Sequence, residues 1–289
     1  MLTVIVGLAG ALVFGAADFL GGMAARRIDP IRVTAISAAV GMFVLLGVLG
    51  VTGGVWSASA VLLGAVSGVC GAIAIALLYA CLAVGPMSIL SPLTAIVSAT
   101  VPMTAGLLRG ERLSEVGYAA IGIALIAVVL VGFVPDREAV RPTLRSVLMA
   151  IGSGLFIGAF LIIIDLTPPE SGPIPLVFNR LVDAIVMFAA VGAIAVARRR
   201  RPRSAETERS GWRRGLLLAL VGGVADAAGN GLLLLGLRLG DLTVISVLTA
   251  LYPAGTIILA ALVLRERITL LQAGGLVLAV AAGAMLALA

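Results

Sequence analysis

At 289 residues, with 61% hydrophobic and 12% charged side chains, the chain is far from a soluble globule, in which about a quarter of residues are charged. Its net charge of +6 is carried wholly by arginine, because the sequence has no lysine and no histidine. These features exclude a soluble globular enzyme, a histidine-based triad and the usual histidine-containing zinc site, and they call for a polytopic membrane protein with no metal or cofactor.

Ten stretches are long and apolar enough to cross a bilayer as helices: near 3–24, 31–51, 59–82, 87–108, 115–134, 146–165, 174–196, 215–237, 242–263 and 268–288. No basic residue precedes the first, and Arg26 and Arg27 follow it, so it reads as a retained span rather than a signal peptide. Turn-forming pairs such as Asp29-Pro30, Gly85-Pro86, Pro168-Pro169 and Gly240-Asp241 keep most connections short. Two connections are longer: 135–145, after the fifth span, and the arginine-rich 198–214, after the seventh. Cys70 and Cys81 share the third span about 16 Å apart along its axis, too far to bridge, and read as small packing residues.

Residues 85–114 recur without a gap at 240–269, an offset of 155 (240 − 85). Leu93-Thr94-Ala95 falls on Leu248-Thr249-Ala250, and Glu111-Arg112 falls on Glu266-Arg267. Such a repeat sets the architecture. It divides the chain into a first five-span unit, 1–134, a linker, 135–145, and a second five-span unit, 146–289. Five is odd, so the second unit enters the membrane from the opposite side. The expected fold is all-α: ten transmembrane helices in two inverted five-helix repeats, an arrangement that secondary transporters use around a central site.

Sixteen of the twenty arginines lie in the loops after odd-numbered spans, leaving Arg109, Arg112, Arg180 and Arg238 elsewhere. The positive-inside rule then makes the odd loops cytoplasmic and puts both termini outside. Arginines placed between apolar runs read as orientation signals and lipid contacts, not as a nucleic-acid surface. Trp56 and Trp212 lie just outside spans, where interfacial tryptophans belong.

Ionisable groups inside a bilayer are expensive and mark functional candidates. Asp18 lies in the first span within GAADFLGG, Asp183 near the middle of the seventh and Asp226 near the middle of the eighth. In the eighth span Gly215, Gly222, Gly229 and Gly236 recur every seven residues and share one face with Asp226, with Asn230 one turn on. That stripe reads either as a groove for a polar substrate or as close helix packing with Asp226 and Asn230 bonding a neighbour. Asp18 reads either as a proton-coupling carboxylate or as a helix-end group reaching towards Arg26 and Arg27. Arg180 and Asp183, three residues apart, read first as a self-neutralising intrahelical ion pair and second as a substrate clamp. Tyr79 and Tyr252 could offer a ring and a hydroxyl to a solute. Pro253 interrupts the ninth span, and Pro92 and Pro102 interrupt the fourth, making them candidate kink or gating positions.

There is no GxxxxGK[ST] loop, so ATP-driven transport by this chain alone is not expected. An intramembrane aspartyl protease, the enzymatic rival, is disfavoured because GAAD at 15–18 departs from the GxGD pattern of such enzymes. Two five-span repeats, each carrying an apolar run closed by a Glu-Arg pair, resemble the EamA-type transporters of the drug/metabolite transporter superfamily over nearly the whole chain. In that family the fourth helix of each repeat typically has a proline thirteen residues before the glutamate; Pro253 matches before Glu266, whereas the first copy has Ser98 there. GAADFLGG also resembles bacterial members. The resemblance implies a basket-like bundle whose central cavity is lined by the first, third, fourth, sixth, eighth and ninth spans. Asp18, Tyr79, Asp226, Asn230 and Tyr252 then become lining candidates, and Arg180 and Asp183 more peripheral.

The expected function is secondary transport in a bacterial inner membrane, not catalysis: export of small metabolites, amino acids or drug-like compounds by alternating access, with protons as the coupling ion through Asp226 and Asp18. An uncoupled facilitator or importer is the alternative within transport, and a membrane scaffold or sensor the alternative outside it.

Overall fold

The computed structural model describes residues 1–84, 87–132, 142–199 and 211–289, and their side chains other than those of 79, 82–88, 198 and 199. Most of the 135–145 linker, most of the arginine-rich 198–214 connection and the Tyr79 side chain therefore lie outside the described residues. The helices are α1 (Leu2–Ala25), α2 (Pro30–Thr52), α3 (Ala58–Val84), α4 (Met87–Leu108), α5 (Glu115–Gly132), α6 (Leu144–Asp165), α7 (Ile174–Arg199), α8 (Trp212–Leu239), α9 (Leu242–Thr249), α10 (Tyr252–Leu264) and α11 (Leu270–Leu288). Among the described residues they make ten spans long and apolar enough to cross a membrane, with α9 and α10 together making the ninth.

Local chemistry sets the helix ends. Asp29 accepts a hydrogen bond from the Ile31 N–H at 3.1 Å and Pro30 occupies the first turn, which starts α2. Thr143 accepts from Ser146 N at 3.2 Å at the start of α6, and Thr269 with Gln272 forms a capping box at the start of α11.

The packing pattern carries the inverted repeat. The first helix of each half packs on the third of the other, α1 on α8 and α6 on α3. The fourth of each packs on the first of the other, α4 on α6 and α9–α10 on α1; the second of each packs on the third of the other, α2 on α8 and α7 on α3. Like pairs with like for α2 and α7, α4 and α9, and α5 and α11. Exchanging the halves therefore maps these contacts onto one another, as a two-fold axis requires. Small residues permit the approach: Gly64 and Gly68 of α3 face the backbone of Pro175 and Asn179, and Gly223 of α8 faces Ser37 of α2.

The duplicated fourth and ninth spans differ in a way the prolines alone did not indicate. Pro92 and Pro102 lie inside an unbroken α4. Each sits against a glycine of a neighbouring helix, Pro92 at Gly132 and Pro102 at Gly158, so the rings are accommodated from outside. The ninth span is broken at Ala250-Leu251, and Pro253 falls in the first turn of α10, where its missing N–H costs nothing to the new helix but denies a partner to the Thr249 carbonyl.

Both copies end at a residue in the left-handed region, Gly110 (φ 98°) and Arg265 (φ 57°). Arg265 is the non-glycine residue with positive φ among the described residues, a conformation that costs a side chain about 1 kcal/mol. Arg265→Gly is expected to stabilise the protein by about 0.5–1 kcal/mol, an increase readable by denaturant titration in detergent. A decrease would show that the Arg265 side chain contributes more than its backbone costs.

Candidate functional site

The glycine stripe of α8 packs. A side chain at Gly215 would meet Arg27 and Ile28, one at Gly222 Leu20 and Gly21, one at Gly229 Phe14, and one at Gly236 Ile245. Two of the four thus face α1 and Gly215 faces the turn just after it, and the stripe brings those backbones together instead of forming a groove.

The polar residues beside the stripe converge from three helices. Arg180 of α7 places Nη2 2.7 Å from Oδ2 of Asp226 on α8, and Nη1 3.4 Å from Oδ2 of Asp183 on its own helix. The shorter contact is the one between helices, so Arg180 and Asp183 are not an isolated pair: Arg180 joins Asp226. Gly41 of α2 leaves room for the arginine stem and faces Ala227 and Gly223 beyond it. Asn230, 2% exposed, donates from Nδ2 to the Asp226 carbonyl at 2.8 Å and lies 3.4 Å from its Oδ1, fixing the carboxylate from one turn away. On the adjacent position of α7, Asn179 donates to Ser67 Oγ of α3 at 2.9 Å.

Asp18 approaches from α1. It is exposed, and at 100° per residue it lies roughly 120° or more round the helix from the outward-facing Leu12 and Ile5, so it does not share their lipid-facing side. Its charge is within electrostatic reach of Asp226 and of Tyr252, the first residue of α10. Gly15, one turn before it, packs directly on the Tyr252–Thr256 backbone, and Thr256 Oγ1 donates to the Gly15 carbonyl at 3.1 Å. The site therefore lies beside the start of a half-helix inside the membrane, the kind of discontinuity at which transporters bind polar solutes.

Two carboxylates, Asp183 and Asp226, thus share one arginine, and Asp18 stands beside them. Asp18 makes no hydrogen bond or ion pair among the described residues. Arg180 Nε, Asp183 Oδ1 and Asp226 Oδ2 are buried without a hydrogen-bond partner there, the last held by charge contact with Arg180 alone. Unfulfilled polar capacity concentrated in one cluster is uncommon in a packed interior and makes this the candidate site. Groups of His, Cys, Asp or Glu able to hold a metal ion do not occur among the described residues.

A second polar group ties the end of the bundle where the termini lie. Thr3 donates to the Leu239 carbonyl at 3.1 Å, Arg238 donates to the Thr167 carbonyl and hydroxyl at 2.6 Å, and Arg109 pairs with Asp165 at 2.8 Å. Glu111 accepts from Leu242 N at 3.0 Å and Thr243 N at 2.9 Å, capping α9. Burial pushes the neighbouring Asp241 carboxyl above its usual range, and the Glu111 carboxylate adds to this. Arg112, Glu266 and Arg267 are exposed.

Two of these contacts escaped the sequence reading. Spacing favours Arg180–Asp183, whereas Arg180–Asp226 depends on how α7 meets α8; the available signal was that a membrane core with three aspartates and one arginine must share that cation. Glu111 reads as a motif marker until its partner helix is in place.

The model of the EamA-like transporter family matches residues 1–133 and again 144–288. No curated protein matches the chain. A solved structure described only as "Crystal structure of protein" is similar over 99% of this chain and 97% of its own, with a TM-score of 0.74 at 16% identity, a likeness of fold. With two matches that together span nearly all of its length, each over one half of the inverted pair, the chain belongs to the EamA-like transporter family.

Proposed function

We propose that the protein is a proton-coupled secondary transporter that exports small amine-bearing metabolites, amino acids or drug-like cations by alternating access. The observation that carries this reading is the charge of the site: Asp18, Asp183 and Asp226 against Arg180 alone, with Asp18 open and unpaired. A carboxylate drawn out of bulk water beside other carboxylates favours a positive partner, and a proton and a protonated amine serve equally. Competition between the two for Asp18 couples their movement in opposite directions. Arg180, already committed to Asp226 and Asp183, holds the rest of the cluster in place while Asp18 exchanges its partner.

The repeats divide across 135–145, giving units 1–134 and 146–289. The arginine bias supports an inner-membrane orientation with the odd loops cytoplasmic, so the end sealed by Thr3, Arg238 and Glu111 faces outward.

The test is flux in proteoliposomes under an imposed pH gradient, screened over amino acids and cationic compounds. Asp18→Asn and Asp226→Asn are each expected to lower gradient-driven flux by about tenfold or more, the change that ~1.4 kcal/mol makes. Asp18→Asn should also abolish the proton flux that accompanies the substrate. Undiminished gradient-driven flux in both variants would sink the coupling role.

A further inference from the structure

We infer that the repeated glutamates, Glu111 and Glu266, are alternate latches of the transport cycle, each docking on the first turn of the other repeat's fourth helix, one at a time. This rests on the alternating-access reading above.

Glu111 supplies both of its oxygens to backbone N–H groups of the opposite repeat, at Leu242 and Thr243. It thereby satisfies two orphan donors at the positive end of α9 with charge-assisted hydrogen bonds. The 155-residue offset carries Glu111 to Glu266, and carries Leu242 and Thr243 back to Met87 and Ser88 (242 − 155 and 243 − 155). Met87 is where α4 begins. The inverted repeat thus writes the same latch at the opposite end of the bundle.

Glu266 occupies the equivalent position but is not docked. Glu111 follows a left-handed residue, Gly110, and Glu266 likewise follows one, Arg265. Yet Glu266 is exposed, and its carboxylate makes no hydrogen bond among the described residues. The helices receiving the two glutamates differ accordingly. Val244 to Leu248 of α9 are all buried, whereas among their counterparts in α4 Ile89 is exposed and Ser91 and Leu93 are half-buried. The structure therefore has one latch closed and the corresponding one open, as an inverted pair in one state of a two-state cycle requires.

One substitution between the copies sets the bias. Gly106 packs against the docked Glu111: a Cβ there would press on its carboxylate and lie 2.5 Å from Thr243 Oγ1. The equivalent position in the second copy is Ala261 (106 + 155). Glu266 must dock past a methyl group that Glu111 does not meet, so the unloaded protein rests with the Glu111 latch closed.

Cysteine reporters at the identical positions Ser91 and Ser246, each in a Cys70→Ala/Cys81→Ala background, read the two ends through labelling by a water-soluble maleimide in detergent. Ser246 is 1% exposed, so its cysteine starts protected. Glu111→Gln is expected to raise labelling at 246 by up to about tenfold, the shift in equilibrium that one lost charge-assisted hydrogen bond supplies, and to lower labelling at 91 only by the smaller fraction that leaves the dominant state. Gly106→Ala, which displaces the same carboxylate from the helix side, should do likewise and guards against a folding defect peculiar to Glu111→Gln. Ala261→Gly should move both reporters in that direction, and adding Glu266→Gln to Glu111→Gln should return them towards the parent. If Glu111→Gln shifts the reporters while Ala261→Gly changes nothing and adding Glu266→Gln to Glu111→Gln reverses nothing, Glu111 is a plain helix cap and the paired latch is wrong, with alternating access untouched. If neither reporter responds to any of these variants or to Asp18→Asn, the alternating-access reading fails with it.

Discussion

Arg180→Met is expected to be the most damaging single change in the membrane interior, costing about 3–5 kcal/mol because it leaves buried carboxylates without their cation. Asp183 and Asp226 have side chains 5% and 26% exposed, and both lean on this one guanidinium. Methionine preserves the stem that packs past Gly41, so the loss reports charge rather than volume. In mild detergent the apparent melting temperature should fall by on the order of 10 °C. The triple variant Arg180→Met/Asp183→Asn/Asp226→Asn should recover most of that fall, since it removes the stranded charges along with their partner. A single variant that melts with the parent would mean that Arg180 does not hold the cluster together.

Gly15→Ala is the second large effect, and its cause is geometric. A Cβ on Gly15 would lie 2.5 Å from the Tyr252 carbonyl oxygen, 2.6 Å from Thr256 N and 2.7 Å from Gly255 Cα, all backbone atoms that no rotamer change can move. The α1–α10 crossing must open, at about 1–3 kcal/mol. Asp18 is one turn along the same helix, so its relation to Tyr252 shifts with it, and gradient-driven flux should fall by more than the lost folded protein explains. Gly22→Ala is the matched control, because nothing lies within 4 Å of its Cβ position. Equal melting temperatures and equal flux for the two variants would contradict the close crossing.

Residue spacing made much of the architecture legible. Apolar runs of one membrane thickness report their own length, and a gapless 155-residue repeat reports inversion through the odd number of spans in each unit. Within the site, Asp226 and Asn230 were legible for the same reason, since four residues apart on a helix are neighbours. What was not legible depends on how helices meet. Arg180 has Asp183 nearer in sequence but Asp226 nearer in space, and only the α7–α8 approach decides between them. The prolines show the same limit: Pro92 and Pro102 look as disruptive as Pro253 in sequence. Glycines on α5 and α6 accommodate the first two, while the ninth span breaks just ahead of Pro253.

The swapped packing of the halves has a consequence for biosynthesis. The closest partners of α1 are α8 and α10, which are synthesised some two hundred residues later. As each helix is threaded into the bilayer, the glycine-lined faces of the early ones have only lipid to meet, and the carboxylate of Asp18 waits in the membrane before Tyr252 exists. Maturation must therefore be a late event in which ten already inserted helices sort themselves within the plane of the lipid. A ribosome that stops after the fifth helix leaves a nascent chain whose contact surfaces are nearly all unmatched.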